Sequence, residues 1–333
     1  MGDFAEMNCR FSVIVPLYNK APYVCKALES VCAQTYRDFE IVVVNDGSTD
    51  ESEVLARQIL NDKSNGIPYK IINQPNAGVA AARNNGVAAS CGEYVAFLDA
   101  DDWWCPEFLD EVNRMIVDHP EAGMYVTNYV YYKSGKTHVA LNMPDGYMDY
   151  PKAYLQSSAM PIWTGATCMA RRVFDDMGGF PLGVRLGEDF LLWAKTAVHY
   201  RIAYINKPLA YYNNDVPVSL RATRNLHAPE HNMLFLLEPL EAEIAQIADE
   251  SIRNTWKSLF DRLRVNGLMP YWLDNRYHQT AEKELQKVDW TKQPQSVIRL
   301  YKMPIWLLRI HRQFMSIGSF YKQKLVHLIK TLK

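Results

Sequence analysis

The chain has 333 residues, 48% of them hydrophobic and 22% charged, with a formal net charge of −1 at pH 7. That length is too great for one minimal core and suits one large α/β domain with an appendage, or two domains. The near-neutral balance excludes an overall polyanion-binding signature, and the composition is that of an ordinary globular protein.

From the N-terminus, the runs 11–17, 39–44, 69–72 and 94–98 are short and rich in β-branched and aromatic residues, which predicts buried strands. Helical patterns fall between them, over roughly 21–34, 50–62 and 77–90. The second follows the turn cluster Asn45–Asp50, where Ser48, Thr49 or Asp50 is a candidate helix cap. Strands alternating with helices predict an α/β fold, with a mostly parallel central sheet and helices on both faces. Right-handed crossovers place the strand C-termini on one edge, where ligands normally bind. Residues 106–215 read as mixed: a helix after Pro106, strands near 124–132 and 167–171, a helix through 190–198, and a strand at 202–212. After about residue 220 the pattern is helical to the end, with no internal repeat or low-complexity segment.

The residues at the strand ends carry the chemistry. Asp99, Asp101 and Asp102 leave the fourth strand within four positions and precede Trp103 and Trp104. Two carboxylates at i and i+2 can converge on one Mg²⁺ or Mn²⁺ ion, which takes hard oxygen ligands and completes its shell with substrate phosphates. The alternative is that they favour the N-terminus of the helix after Pro106. Pro16 and Tyr18 put a ring at the same edge, suited to stacking on a nucleobase. Asp46 can accept a hydrogen bond from a base, and Arg83 is a natural partner for diphosphate oxygens. Taken singly, Tyr18 reads as packing, Asp46 as a turn former and Arg83 as a surface charge. Their convergence on one edge favours a binding site. No HExxH, GxGxxG or GxxxxGK[ST] motif occurs, which argues against zinc hydrolysis, dinucleotide-dependent redox chemistry and P-loop phosphoryl transfer.

The runs SVIVPLYNKAPYV, FEIVVVNDGSTD, NAGVAAARNNGV and GEYVAFLDADDWW, in this order and spacing, resemble family 2 glycosyltransferases of the GT-A fold. Gly178-Gly179-Phe180 and Gly187-Glu188-Asp189-Phe190 resemble that family's acceptor-side loop and Glu-Asp motif, so the similarity spans about residues 11–215. It implies a GT-A catalytic domain over 1–220 and a C-terminal helical extension over 221–333. It further implies an inverting transfer from a nucleotide-diphosphate sugar, a UDP-sugar by preference, to a hydroxyl of a glycan or lipid-linked acceptor. Pro16, Tyr18 and Asp46 would hold the nucleoside, Arg83 the base or phosphate side, and Asp99 the ribose or sugar. Asp101 would bind Mn²⁺ or Mg²⁺, and Asp189 would act as general base. The role of Asp102 stays open between sugar contact and helix-start electrostatics, and Trp103 and Trp104 read as packing or a wall of the sugar pocket. The competing class is a non-catalytic nucleotide-sugar-binding or scaffold protein that retains the fold. A processive polysaccharide synthase is disfavoured by the lack of a QxxRW-type motif and of apolar runs of membrane-spanning length.

Residues 290–333 contain nine Lys or Arg and no Asp or Glu, which leaves the rest of the chain acidic. In 316–333, Ile317, Tyr321, Leu325, Leu328 and Leu332 mark one helical face, with lysines opposite. The expected roles are packing on the catalytic domain or peripheral contact with an anionic membrane, aided by Trp306. Nucleic acid is disfavoured as a partner, because the acidic catalytic part repels phosphate. Six cysteines without a CxxC pair, and no secretory-signal pattern, place the expected chain in the cytoplasm, with peripheral contact on the inner face of the cytoplasmic membrane.

Overall fold

The computed structural model describes residues 9–217 and 225–308. The chain divides into two compact units, Met1–Leu259 and Phe260–Lys333.

The first unit opens with β1 (Phe11–Leu17), α1 (Val24–Cys32), β2 (Phe39–Asn45), α2 (Ser52–Lys63), β3 (Tyr69–Asn73), α3 (Val79–Ala88) and β4 (Tyr94–Phe97). The four strands form a parallel array in the order β3-β2-β1-β4. Every residue of β1 and β2 is buried. Successive strand side chains point to opposite faces, so both faces of the sheet are covered there. The approach of α3 to the sheet is close. A Cβ on Gly86 would lie 2.5 Å from Cγ2 of Ile14 in β1, so a larger residue would push the helix away.

The chain continues through β5 (Trp103–Trp104), α4 (Phe108–Asp118), β6 (Ala122–Lys133), β7 (Lys136–Val139), β8 (Gly146–Tyr147), α5 (Tyr150–Gln156), β9 (Thr167–Ala170), α6 (Arg171–Met177), α7 (Glu188–His199) and β10 (Arg201–Asn213). The main sheet order is β3-β2-β1-β4-β9-β6-β10-β5. Strand β9 runs antiparallel between β4 and β6, while β10 lies parallel to β6. Thus β1–β4, β6 and β10 share one direction, and their C-terminal ends share one edge. Helices α8 (Glu238–Ile244) and α9 (Glu250–Gly267) follow, and α9 carries the chain from the first unit into the second.

The second unit holds α10 (Met269–Trp272), α11 (His278–Leu285) and α12 (Gln295–Lys302). Its buried Arg264 pairs with Glu284 at 3.1 Å, and the Tyr301 hydroxyl donates to the Val265 carbonyl at 2.7 Å. Among the described residues, no helix is long and apolar enough to cross a membrane. The expected helix over 316–333 lies outside the described residues.

Candidate active site

The site begins where two strands part. Strand β4 pairs with β1 only along Phe11–Ile14, and Leu98 N–H donates the last rung, to the Ile14 carbonyl at 3.1 Å. Beyond it, β1 continues alone with β2, with Pro16 opposite Val44. A proline near the middle of a sheet is disfavoured because it lacks a donor N–H. Pro16 sits past the point where the ladder with β4 has ended. It is buried, whereas Tyr18, just beyond the strand, is 46% exposed.

The loop after β1 is held by the loop after β2. Asn19 adopts a left-handed φ of 49°, and its side-chain oxygen accepts from Thr49 N–H at 2.8 Å. Asn19 N–H donates to Ser48 Oγ, Lys20 N–H to Ser52 Oγ and Ala21 N–H to Asp50 Oδ2. Helix α2 starts at Ser52 with no side-chain cap on its N-cap residue, Glu51. Asp50 Oδ1 accepts from Ser52 N–H, the first of the helix, at 3.0 Å, while its Oδ2, Ser48 Oγ and the Thr49 backbone bind the neighbouring loop. This sets the position of Tyr18.

Asp46 is 3% exposed and fully engaged with the chain's own donors. Its Oδ1 accepts from Gln74 Nε2 at 2.7 Å and Ala77 N–H at 2.8 Å, and its Oδ2 from Gly78 N–H at 2.9 Å. The carboxylate therefore fixes the loop that delivers α3.

Arg83, on α3, is also buried, at 3% exposure. Its guanidinium donates to Asp99 Oδ1 at 2.8 Å and to Glu188 Oε1 at 3.1 Å, tying the end of β4 to the start of α7. Its Nε has no hydrogen-bond partner among the described residues. Burial opposes the charge, but the two carboxylates outweigh it and hold the Arg83 pKa above its ordinary value. The guanidinium carbon stands 5.0 Å from the centre of the Phe180 ring. Asn84 fixes that residue by donating to the Phe180 carbonyl and accepting from its N–H, at 2.8 and 2.9 Å.

The three aspartates after β4 take separate partners. Asp99 is held by Arg83. Asp101 Oδ2 accepts from Lys20 Nζ at 2.5 Å. Asp102, 4% exposed, accepts from Asn213 N–H at 2.7 Å and so anchors the end of β10. The sequence gives no sign of this contact, since Asn213 lies 111 positions later. Burial raises the pKa of Asp101, with Asp99 adding to it and Lys20 opposing. Burial, with the charges of Asp101 and Asp99, raises that of Asp102 further. Asp101 offers a hard oxygen of the kind Mg²⁺ or Mn²⁺ takes. Such ions are commonly held by one or two carboxylates with phosphates completing the shell. With Asp99 and Asp102 engaged elsewhere, the donor set fits an ion held by the single carboxylate of Asp101, whose present partner is the lysine ammonium.

Asp189 stands half-buried in the first turn of α7. Its Oδ2 accepts from Thr164 Oγ1 at 3.2 Å, and its Oδ1 from Phe190 N–H at 2.7 Å. Thr164 lies in the short 3₁₀ turn Thr164–Ala166, which Trp104 fixes by donating from Nε1 to the Gly165 carbonyl at 2.6 Å. Gly187, before the helix, has φ 83°, and a Cβ there would meet Met233 Sδ at 2.4 Å. Only glycine takes this turn without strain. Burial and the adjacent Asp189 charge push Glu188 up to about 7, against the pull of Arg83.

The structure therefore gathers Pro16, Tyr18, Asp46, Arg83, Asp99, Asp101 and Asp189 around the C-terminal edge of the sheet and the start of α7. Tyr18, Asp99, Asp101 and Asp189 retain exposure, while Pro16, Asp46 and Arg83 lie beneath. Lys20, Gln74 and Thr164 join them as partners that the strand-end reading did not include, and Trp104, read there as packing or a pocket wall, holds the Thr164 turn. Lys20 follows Tyr18-Asn19 directly, so its place at the edge was open to notice. Trp103 lies flat on Tyr211, ring centres 5.2 Å apart, with the Lys26 ammonium 3.0 Å from its own ring centre.

A mixed α/β sheet thus carries aspartates, an aromatic ring and a buried arginine at its C-terminal edge, the edge where open α/β sheets bind ligands. The family model for glycosyl transferase family 2 matches residues 12–178. The chain belongs to the family 2 glycosyltransferases. Glycosyltransferase GlyA of Streptococcus pneumoniae is 34% identical over 219 residues, covering 61% of this chain and 30% of that protein. The chain spans about a third of the length of the curated relatives it matches. Among solved structures, S. aureus TarS 1–349 in complex with UDP-GlcNAc superposes with a TM-score of 0.70 at 21% identity, covering 86% of this chain and 82% of that one. The mannosyltransferase PcManGT from Pyrobaculum calidifontis, in complex with GDP-Man and Mn²⁺, gives a TM-score of 0.50 at 21% identity, covering 86% and 88%. The sheet and its flanking helices thus have the GT-A fold.

Proposed function

We propose that this chain transfers a sugar from a nucleotide-diphosphate donor, a UDP-sugar by preference, to a hydroxyl of a glycan or lipid-linked acceptor in surface polysaccharide synthesis. The observation that carries this reading is the Asp99–Arg83–Glu188 bridge. It ties the aspartates after β4 to the Glu-Asp start of α7. The UDP-GlcNAc in TarS supports the donor class. In this reading residues 1–220 form the catalytic domain and 221–333 the helical extension.

Tyr18 stacks on the base, and Pro16 shapes the floor beneath it. Asp46 meets the nucleoside with the loop it already holds. Arg83 fixes Asp99, which takes the ribose or sugar. A divalent ion at Asp101, Mn²⁺ or Mg²⁺, would supply positive charge for the leaving diphosphate. Asp189 accepts the proton of the acceptor hydroxyl as its oxygen bonds to the anomeric carbon and the nucleoside diphosphate departs from the opposite face, inverting that carbon. A carboxylate suffices as base because the hydroxyl becomes acidic only as the new bond forms. Basic residues over 290–333 and the exposed Leu300, Trp306 and Leu307 support peripheral contact with an anionic membrane carrying the acceptor.

Hydrolysis of UDP-sugars, measured with and without Mn²⁺ on the wild type, Asp101→Ala and Asp189→Asn, tests the assignment. Asp101→Ala should lose metal-dependent turnover. Asp189→Asn should keep the thermal shift produced by UDP but lose transfer. Turnover indifferent to metal and to both substitutions overturns the reading.

A further inference from the structure

At the opposite edge of the sheet, where the parallel strands begin, Cys9, Glu40 and Cys91 meet. Cys9 lies two residues before β1, Glu40 is the second residue of β2, and Cys91 closes the turn between α3 and β4. One ligand atom from each lies within 4.8 Å of the others, and the two sulfurs are 3.6 Å apart. Two thiolates on one tetrahedral zinc, each about 2.3 Å from the metal, sit about 3.8 Å apart. The sulfur spacing already has nearly that value.

The carboxylate between them is built in rather than incidental. Glu40 is 2% exposed, and its Oε1 accepts from Ser12 Oγ at 2.8 Å and from Cys91 N–H at 2.6 Å. Ser12 Oγ in turn accepts from Gly92 N–H at 2.8 Å. Lys70 Nζ lies 3.1 Å from Glu40 Oε2. Such outer contacts orient ligands in metal sites. The charges also close: two thiolates and a carboxylate around a divalent ion leave one negative charge, which the Lys70 ammonium neutralises. Cys9 and Cys91 are only half-buried, so an ion can reach them from solvent.

We propose that Cys9, Glu40 and Cys91 bind one thiophilic divalent cation, zinc by chemistry, with water in the fourth position. Two sulfurs and one oxygen favour a borderline-soft ion over Mg²⁺ or Mn²⁺. On binding, each S–H bond is exchanged for a sulfur–metal bond, the proton goes to solvent, and no atom changes oxidation state. The ion joins the segment entering β1 to β2 and to the entrance of β4. This site is separate from Asp101, and the proposal does not depend on the assigned transfer reaction.

The test uses the full chain in a phosphine reductant, equilibrated with Zn²⁺, desalted and analysed for metal and for thiols. The expected result is one zinc per chain in the wild type and in Asp101→Ala, and loss of that zinc in Cys9→Ser and in Cys91→Ser. Ser12→Ala, which loosens Glu40 without removing a ligand, should weaken zinc binding by about tenfold. Co²⁺ substitution should give a sulfur-to-cobalt charge-transfer band that both cysteine variants lack, while circular dichroism shows that they fold. Less than about a tenth of a zinc per wild-type chain in this assay overturns the proposal. So does zinc retained by both cysteine variants, zinc lost in Asp101→Ala, or a Cys9–Cys91 disulfide in the chain as isolated.

Discussion

Lys20 and Asp101, 81 residues apart in the chain, meet with Nζ 2.5 Å from Oδ2. The ammonium occupies one oxygen of the carboxylate assigned to the metal, so lysine and divalent ion compete for it. A charge-assisted hydrogen bond of this kind contributes about 1.5–3 kcal/mol. Lys20→Met should therefore tighten Mn²⁺ binding to the donor-free protein by about tenfold, read by electron paramagnetic resonance titration. Unchanged affinity would show that the ion does not use Asp101, or uses it without displacing the lysine.

Arg83, itself buried, stabilises the largely buried Glu188 and the partly exposed Asp99. Arg83→Met keeps much of the side-chain length but leaves Asp99 and Glu188 without their shared cation. Removing one partner of a buried ion pair costs about 3–5 kcal/mol. Urea denaturation should show a loss of that order. A loss below about 1 kcal/mol, typical of exposed pairs, would mean that the bridge opens to solvent.

The same cluster sets a pH dependence. The folded Glu188 carboxyl titrates near a value pushed up to about 7, chiefly by burial and by Asp189. In the unfolded chain a glutamate titrates at about 4.3. Between these values the folded state binds more protons, so the contribution of Glu188 is full below about pH 4 and declines as pH rises through 7. Relative to Glu188→Gln, the wild type should lose up to about 3 kcal/mol of stability between pH 4.5 and 7.5. Parallel stability curves for the two proteins would remove this account.

Much of this arrangement was open to reading from the residues, and the limit has a physical form. Strands β1 to β4 announce themselves through short β-branched runs, and parallel topology places their ends together without further information. The direction of β9 does not announce itself, since Thr167–Ala170 looks the same in either orientation. Partnerships that depend on loop convergence are equally silent. Arg83 reads as a surface charge on a small-residue helix until α7 closes over it. Asp102 reads as one more acidic residue until Asn213, 111 positions later, presents its N–H. Aspartates of one motif thus divide into an ion pair with Lys20, an ion pair with Arg83 and a backbone anchor.

Asp46 separates a structural contact from a ligand contact. Its two oxygens accept from Gln74, Ala77 and Gly78, and an asparagine amide in its place would turn donors toward donors. Asp46→Asn should cost about 1–3 kcal/mol through the unsatisfied N–H groups, and should weaken UDP binding because the loop before α3 shifts. Unaltered stability with weaker UDP binding would assign the carboxylate to the nucleoside alone.

Trp104 reaches the proposed base through the 3₁₀ turn. Its indole N–H holds the Gly165 carbonyl, and the adjacent Thr164 hydroxyl holds Asp189 Oδ2. Trp104 and Thr164 are 3% and 1% exposed, so neither contact can be replaced readily by water. Trp104→Phe keeps an aromatic ring stacked on Phe108, whose centre lies 4.1 Å away, but leaves a buried carbonyl unpaired. The turn should relax and Asp189 should lose its fixed rotamer. Misplacement of a catalytic group by about 1 Å can lower the rate by as much as a hundredfold. The expected outcome is a fall in kcat of about tenfold or more with donor KM within about twofold, since the donor side of the cleft is untouched. Thr164→Val should give the same split, and Thr164→Ser, which keeps the hydroxyl, should restore most of the rate. A matching rise in KM, or full activity in Thr164→Val, would detach Asp189 from this chain of contacts and place its orientation under the control of Gly187 and the α7 backbone.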